Sequence, residues 1–339
     1  MQNKRSIPMP VKYWSQAGLM LTDWCPGACA SCYLRCSPAG RQWMSVEFAL
    51  DTWLQLDALC PHRCRVHITG GEPFGDWPRL LKIARLAKER SLLLDKVETN
   101  AYWATDEDVV RQRLEALDEA GMKTFAISAD PFHQQFVPIE APRLAWRVAV
   151  ELLGPQRVQV RWEDWLGQGQ GLAEATDDER NAIFAEWMSR RRDRVHGRAA
   201  ESLAGYLPLR PVEEFAGLHC RQALLRGKQI HVSPEGLIAP GVCAGISLGL
   251  AGLEPIGEIW QNLHDAPVDK PVISALAQGG PVALMSQAVE IGFVPAAGYA
   301  SKCHLCWAVR KFLHAKPGPW SNELAPATIY ENHDETFLP

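Results

Sequence analysis

Between about residue 18 and residue 190 the hydrophobic period switches back and forth, and this restricts the fold more than any other feature. Short apolar or alternating runs at 18–22 (GLMLT), 65–69 (RVHIT), 92–99, 123–128 (KTFAIS) and 158–162 (VQVRW) read as strands. Between and after them, residues 45–56, 78–90, 106–119, 142–153 and 177–190 carry apolar positions three or four apart, as helices do. Ser45 is placed to cap the first helix and Pro78 to start the second. Strands alternating with helices predict parallel strands with helices packed outside, an α/β fold.

After Gly197 the rhythm changes. Pro and Gly become frequent, and QIHVSPEGLIAPG reads as a hairpin turning at Pro234-Glu235-Gly236. Helical patterns return at 271–277, 281–291 and 304–314. The expected organisation is a core over residues 1–200, a second, irregular domain over 201–316, and an extended tail over 317–339 that wraps the surface.

The formal net charge of -4 gives no basic surface for nucleic acid. No apolar stretch is long enough to span a bilayer. The start, MQNKRSIPMPVKYW, has charges but no apolar centre, and Pro8 and Pro10 interrupt it, so it does not read as a secretory signal. The expected location is the cytoplasm, with no membrane partner. In that compartment the ten cysteines point to metal ligation, reactivity or packing rather than disulfides.

Three of them, Cys25, Cys29 and Cys32, form a C-x3-C-x2-C run in the loop after the first strand. Parallel α/β folds carry their chemistry at the carboxyl ends of the strands. Three thiolates on a tight loop suit three irons of a [4Fe–4S] cluster and leave the fourth open. Zinc favours four closed ligands or His among them. Cys36 offers a fourth thiol at an unsuitable spacing, and it reads as structural, as do Cys60 and Cys64 in the turn before the second strand. ITGGEP, residues 68–73, follows that second strand, and its glycines allow a ligand close to the backbone. GQGQG at 167–171 opens no helix after a first strand and reads as a turn, not a nucleotide loop.

CPGACASC and ITGGEP, one strand apart, resemble the radical S-adenosylmethionine (radical SAM) superfamily. The resemblance implies a partial (β/α)6 TIM-like barrel, and a three-cysteine [4Fe–4S] cluster chelated at its open iron by S-adenosylmethionine. It places Gly70 and Gly71 against the methionine end of that molecule and Glu72 on its ammonium. Tyr33 would pack over cluster or adenine, since Ser31 stands where members often carry an aromatic. Thr99, Asn100, Ser128 and Asp130, at the third and fourth strand ends, take ribose-binding roles. Arg161 is either a fork for the carboxylate or a surface salt-bridge residue. His133 and Gln134 resemble a D-x-x-H-Q stretch without an assigned role.

Cys220, Cys243, Cys303 and Cys306 frame the second domain, and spacing leaves [4Fe–4S] and zinc both open. With the GRA at 197–199, they resemble the auxiliary-cluster domains of the SPASM and twitch groups, which implies one auxiliary [4Fe–4S] cluster. The implied activity is that of an oxidoreductase or maturase. A one-electron reductant such as flavodoxin or ferredoxin drives reductive cleavage to methionine and a 5′-deoxyadenosyl radical, which takes hydrogen from substrate. The substrate is expected to be a peptide under maturation or, alternatively, a sugar or polyol undergoing dehydrogenation. The 24 residues before Cys25 are short for a leader-binding domain, which weighs against the peptide. A non-catalytic electron carrier is the third class, and GGEP argues against it.

Overall fold

The computed structural model describes residues 11–190, 194–241, 243–265 and 269–330. The N-terminal stretch containing Pro8 and Pro10, and the last part of the tail from 331, lie outside these. The strands are β1 (Gln16–Met20), β2 (Arg65–Thr69), β3 (Leu93–Thr99), β4 (Thr124–Ile127), β5 (Val158–Val160), β6 (Gln229–Val232), β7 (Leu237–Pro240) and β8 (Gly249–Leu250). They form one open sheet in the order β5-β4-β3-β2-β1-β6-β7-β8. Strands β1 to β6 are parallel to one another, while β7 runs antiparallel to β6 and β8 antiparallel to β7. The molecule has the α/β architecture expected of a partial parallel barrel.

Helices α1 (Val46–Leu59), α2 (Trp77–Glu89), α3 (Glu107–Glu119) and α4 (Glu140–Leu153) connect the first five strands. They cover the strand face that carries Ala17, Leu19, Val66, Ile68, Val97 and Phe125, all fully buried. Ser45 caps α1 through Phe48 N, Asp76 caps α2 through Arg79 N, and Asp106 caps α3 through Val109 N. Each such cap contributes about 1 kcal/mol. The short α5 (Glu163–Gln168) was not legible in the sequence, and the GQGQG run is its end and the coil beyond. Then come α6 (Asp177–Arg190), α7 (Arg198–Ser202), α8 (Arg221–Leu224), α9 (Ile256–Asp265), α10 (Pro271–Gln278), α11 (Gly280–Val289), α12 (Lys302–His314) and α13 (Ala327–Tyr330).

The hairpin turns where expected, with Gly236 at φ +94°. Its place differs from a separate second domain. Strand β6 pairs with β1 in the register Gln16↔Gln229 to Leu19↔Val232, so residues beyond 200 complete the core sheet. The reason is edge satisfaction. Strand β1 would otherwise present unpaired backbone groups beside a buried face, and Ile230 and Val232 alternate in step with Ala17 and Leu19. The tail also differs from a surface wrap. Leu324 and Tyr330 are buried, and Tyr330 donates its hydroxyl to the Gly245 carbonyl.

Candidate functional site

The loop between β1 and α1 is folded on itself at the carboxyl end of the sheet. Cys25 N donates to Ser37 O at 3.1 Å and Cys32 N to Cys29 O at 3.0 Å. Cys25 and Cys29 are buried and Cys32 is half-buried. All three line one cavity of about 130 Å³, together with Tyr33, Gly70, Gly71, Thr99, Asn100, Ser128 and Arg161. The sheet therefore converges ten of the expected residues from the ends of five strands. Asn100 also reaches toward Cys25, with Nδ2 3.5 Å from Sγ.

Glycine is required at the GGEP turn. A Cβ on Gly71 would stand 1.9 Å from the Trp24 carbonyl, and Gly70 holds φ at +122°. This contact lets Gly71 N donate to Thr22 O and Glu72 N to Trp24 O, both at 2.7 Å, so the turn is bonded to the cysteine loop.

Two of the expected residues do not face the cavity. Glu72 is fully buried, and its oxygens accept from Phe74 N at 3.1 Å, Thr99 Oγ1 at 2.8 Å and Asn100 N at 2.7 Å. Burial pushes its carboxyl up to about 7 despite these donors. It ties the end of β2 to the end of β3. Asp130 is buried as well, accepting from Phe132 N and His133 N at 3.0 Å and lying 2.8 Å from His133 Nδ1. Burial opposes its charge, but the His133 imidazole, the hydrogen bonds from His133 and the Arg161 charge together hold the carboxyl below the ordinary range. Burial likewise disfavours the charged imidazole, and Asp130 raises it above the ordinary value. Asp130 thus orients His133, and His133 is the member of the pair at the cavity wall.

Cys36, Thr69 and Glu98 also line the cavity and were not assigned there from sequence. Thr69 Oγ1 donates to Glu98 Oε2 at 2.7 Å, and Lys96 Nζ lies 2.5 Å from Glu98 Oε1. Strand alternation carried the signal: Thr69 and Glu98 point away from the helix-covered face. On the same inner face His67 and His231 meet over Gly18, with their Nε2 atoms 3.2 Å apart.

The second set is also assembled. Cys220 precedes α8, Cys243 follows β7, and Cys303 and Cys306 sit three apart near the start of α12, which Ser301 caps through His304 N. All four line a cavity of about 40 Å³ with His196 and Arg310. Arg310 is buried and donates from Nη1 to Ala244 O at 2.9 Å and to Tyr330 Oη at 2.7 Å. Cys60 and Cys64 lie at the opposite strand ends, where Cys64 Sγ donates to Trp14 O at 3.3 Å.

Both cavities present cysteine thiols, which are donors for iron–sulfur clusters and for zinc alike. Burial pushes Cys25 up to about 12 and raises Cys29, while a hydrogen bond from Cys36 lowers Cys32 to about 5. Buried neutral thiols release protons when a metal group binds.

Residues 19–153 match the model described as the radical SAM superfamily. This stretch is a radical SAM domain. It covers the cysteine loop, the GGEP turn and the strand ends that form the first cavity. A radical SAM domain binds a [4Fe–4S] cluster and S-adenosylmethionine, and Cys25, Cys29 and Cys32 lie within the matched residues. No curated protein sequence matches the chain. Among solved structures it is similar to BtrN in complex with AdoMet and 2-DOIA, at 14% identity over 80% of this chain and 90% of that one, with a TM-score of 0.47. It is similar to Streptococcus suis SuiB bound to the precursor peptide SuiA, at 11% identity over 94% and 76%, with a TM-score of 0.39. It is also similar to anSMEcpe with bound AdoMet and the Cp18Cys peptide, at 12% identity over 88% and 96%, with a TM-score of 0.41. Among the described residues no helix is long and apolar enough to cross a membrane.

Proposed function

We propose that this radical SAM enzyme matures a peptide, with a second cluster in a SPASM- or twitch-like C-terminal part. The observation that carries the reading is a second chamber beside the first. The two share Tyr33, Leu34 and Cys36 as a common wall. Beyond that wall Met20, Leu237, Ala239, Ala244, Ile246 and Ile329 line the second chamber, and Thr22, Asp23, His231, Ser233, Glu235 and Thr328 supply its polar groups. A chamber with a mainly apolar surface and a few polar groups suits an amino-acid side chain; a sugar or polyol needs hydrogen-bonding partners for every hydroxyl.

In this reading Cys25, Cys29 and Cys32 hold the first [4Fe–4S] cluster, and Cys220, Cys243, Cys303 and Cys306 the auxiliary one. With an electron from a flavodoxin- or ferredoxin-like donor, the first cluster and S-adenosylmethionine supply the hydrogen-abstracting chemistry. The chain orients and excludes water. Gly70 and Gly71 give backbone access, Thr99, Asn100 and Ser128 bind polar groups of the nucleoside end, and Arg161 and Tyr33 close the cavity. Small-molecule dehydrogenation is the second reading, supported by the half-buried Lys96–Glu98 pair and Thr69 on the inner face, where hydroxyls could bond.

The test is deuterium transfer into 5′-deoxyadenosine by anaerobically reconstituted protein with dithionite. Label arriving from a deuterated precursor peptide supports maturation. Label arriving from deuterated polyols and from no peptide overturns it in favour of the second reading.

A further inference from the structure

Four backbone carbonyls of the first cysteine loop bond to one residue more than 160 positions further along the chain. Arg198 donates from Nη1 to Cys29 O at 3.0 Å, and from Nη2 to Arg35 O at 3.0 Å and Cys36 O at 3.1 Å. Its backbone N donates to Cys32 O at 3.1 Å. The side chain is buried. Gly197 makes the approach feasible: it holds φ at +62°, and a Cβ there would lie 2.5 Å from the Tyr33 carbonyl.

The neighbours of Arg198 reach the other thiol set. The His196 ring packs on Tyr33 at 5.6 Å between centroids, and His196 also lines the cavity of Cys220, Cys243, Cys303 and Cys306. One turn on, Glu201 accepts from Arg35 Nη1 and from Lys311 Nζ of α12, each at 2.5 Å. Residues 196–201 therefore form a strap against the first loop, anchored on the helix that carries Cys303 and Cys306.

We propose that Arg198 is a positioning residue for the first cysteine loop. Its guanidinium clamps the carbonyls of Cys29, Arg35 and Cys36 so that the three thiols keep one spacing, and its charge offsets that of the cluster they hold. The charge half of this proposal rests on the cluster reading above; the clamp half does not. A planar fork with fixed N–H directions can serve three carbonyls at once, whereas a lysine ammonium on a flexible stem supplies the charge without the fork.

Arg198→Met and Arg198→Lys separate the two halves. In iron-stripped protein, N-ethylmaleimide labelling of Cys25, Cys29 and Cys32 is followed by peptide mass spectrometry, with Cys60 and Cys64 as internal controls. Both variants are expected to label about fivefold faster at the loop, the factor for about one lost hydrogen bond, with the controls unchanged. Labelling at the parent's rate, or equal acceleration of the controls, overturns the clamp. In reconstituted protein, the midpoint potential is read for the cluster whose signal Cys29→Ala removes. It is expected to move to more negative values in Arg198→Met and to stay near the parent's in Arg198→Lys, and an unmoved potential in both overturns the charge role. A parent that holds no iron overturns the cluster reading, and with it the charge role, while the labelling still decides the clamp.

Discussion

At the scale of single residues, Cys29 is the sharpest test of the first site. Cys29→Ala removes one of three thiols around the cavity, and dithionite-driven formation of 5′-deoxyadenosine should fall to background. Retained cleavage would remove this loop from the chemistry. A second prediction concerns His67 and His231. Burial lowers both, His67 to about 3, with Glu98 raising and Lys96 lowering each of them. Unfolded histidines take up protons near pH 6.5, so from about 6.5 down toward 3 the unfolded chain binds more protons than the fold. The stability held by the neutral pair is complete above that range and is lost as pH falls through it, by about 1.4 kcal/mol for His67 one unit below 6.5, with His231 adding in the same direction. Urea midpoints at pH 7.5 and 5.5 measure this, and His67→Gln should flatten the difference. The first cysteine loop was legible because ligand spacing is local. The role of Glu72 was not, because its partners Thr99 and Asn100 lie 27 and 28 residues away and only the folded sheet brings them to it.

At the scale of elements, the hairpin decides how the chain holds together. Strands were readable from their period, yet a period reports which face a residue takes, never which strand lies beside it. That β6 joins β1 was therefore invisible, although the hairpin itself and its Gly236 turn were plain. The connection before β6 includes exposed Leu209 and Leu218, a natural site for a protease. Cutting there should leave two fragments that elute together from a sizing column in native buffer and separate in urea; separation without denaturant would contradict the β1–β6 pairing. Helix α12 carries the other element-scale prediction. Cys303→Ala should retain cleavage of S-adenosylmethionine and lose substrate turnover, because it disturbs the second thiol set and leaves the first cavity intact. Deuterium that reaches 5′-deoxyadenosine without product would point to electron acceptance by the second cluster. Lower thermal stability with weak substrate binding would point to a staple. Normal turnover without that cluster would exclude both.

At the scale of the whole molecule, two cavities, each ringed by thiols, predict about eight irons per chain after anaerobic reconstitution. About four irons, or one zinc per chain, would leave the second set outside iron–sulfur chemistry. The pairing of Gln16–Leu19 with Gln229–Val232 also has a consequence during synthesis. The thiols at Cys25, Cys29 and Cys32 leave the ribosome well before Arg198, 169 residues beyond Cys29, and before β6, which follows later still. At ordinary elongation rates of about 5–20 residues per second, that is an interval of about 10–40 s. Throughout it the nascent loop has neither its clamp nor its flanking strand, and its sulfurs are open to oxidation and to whatever metal is at hand. Oxygen met during translation should therefore damage the yield of loadable protein more than the same exposure after release.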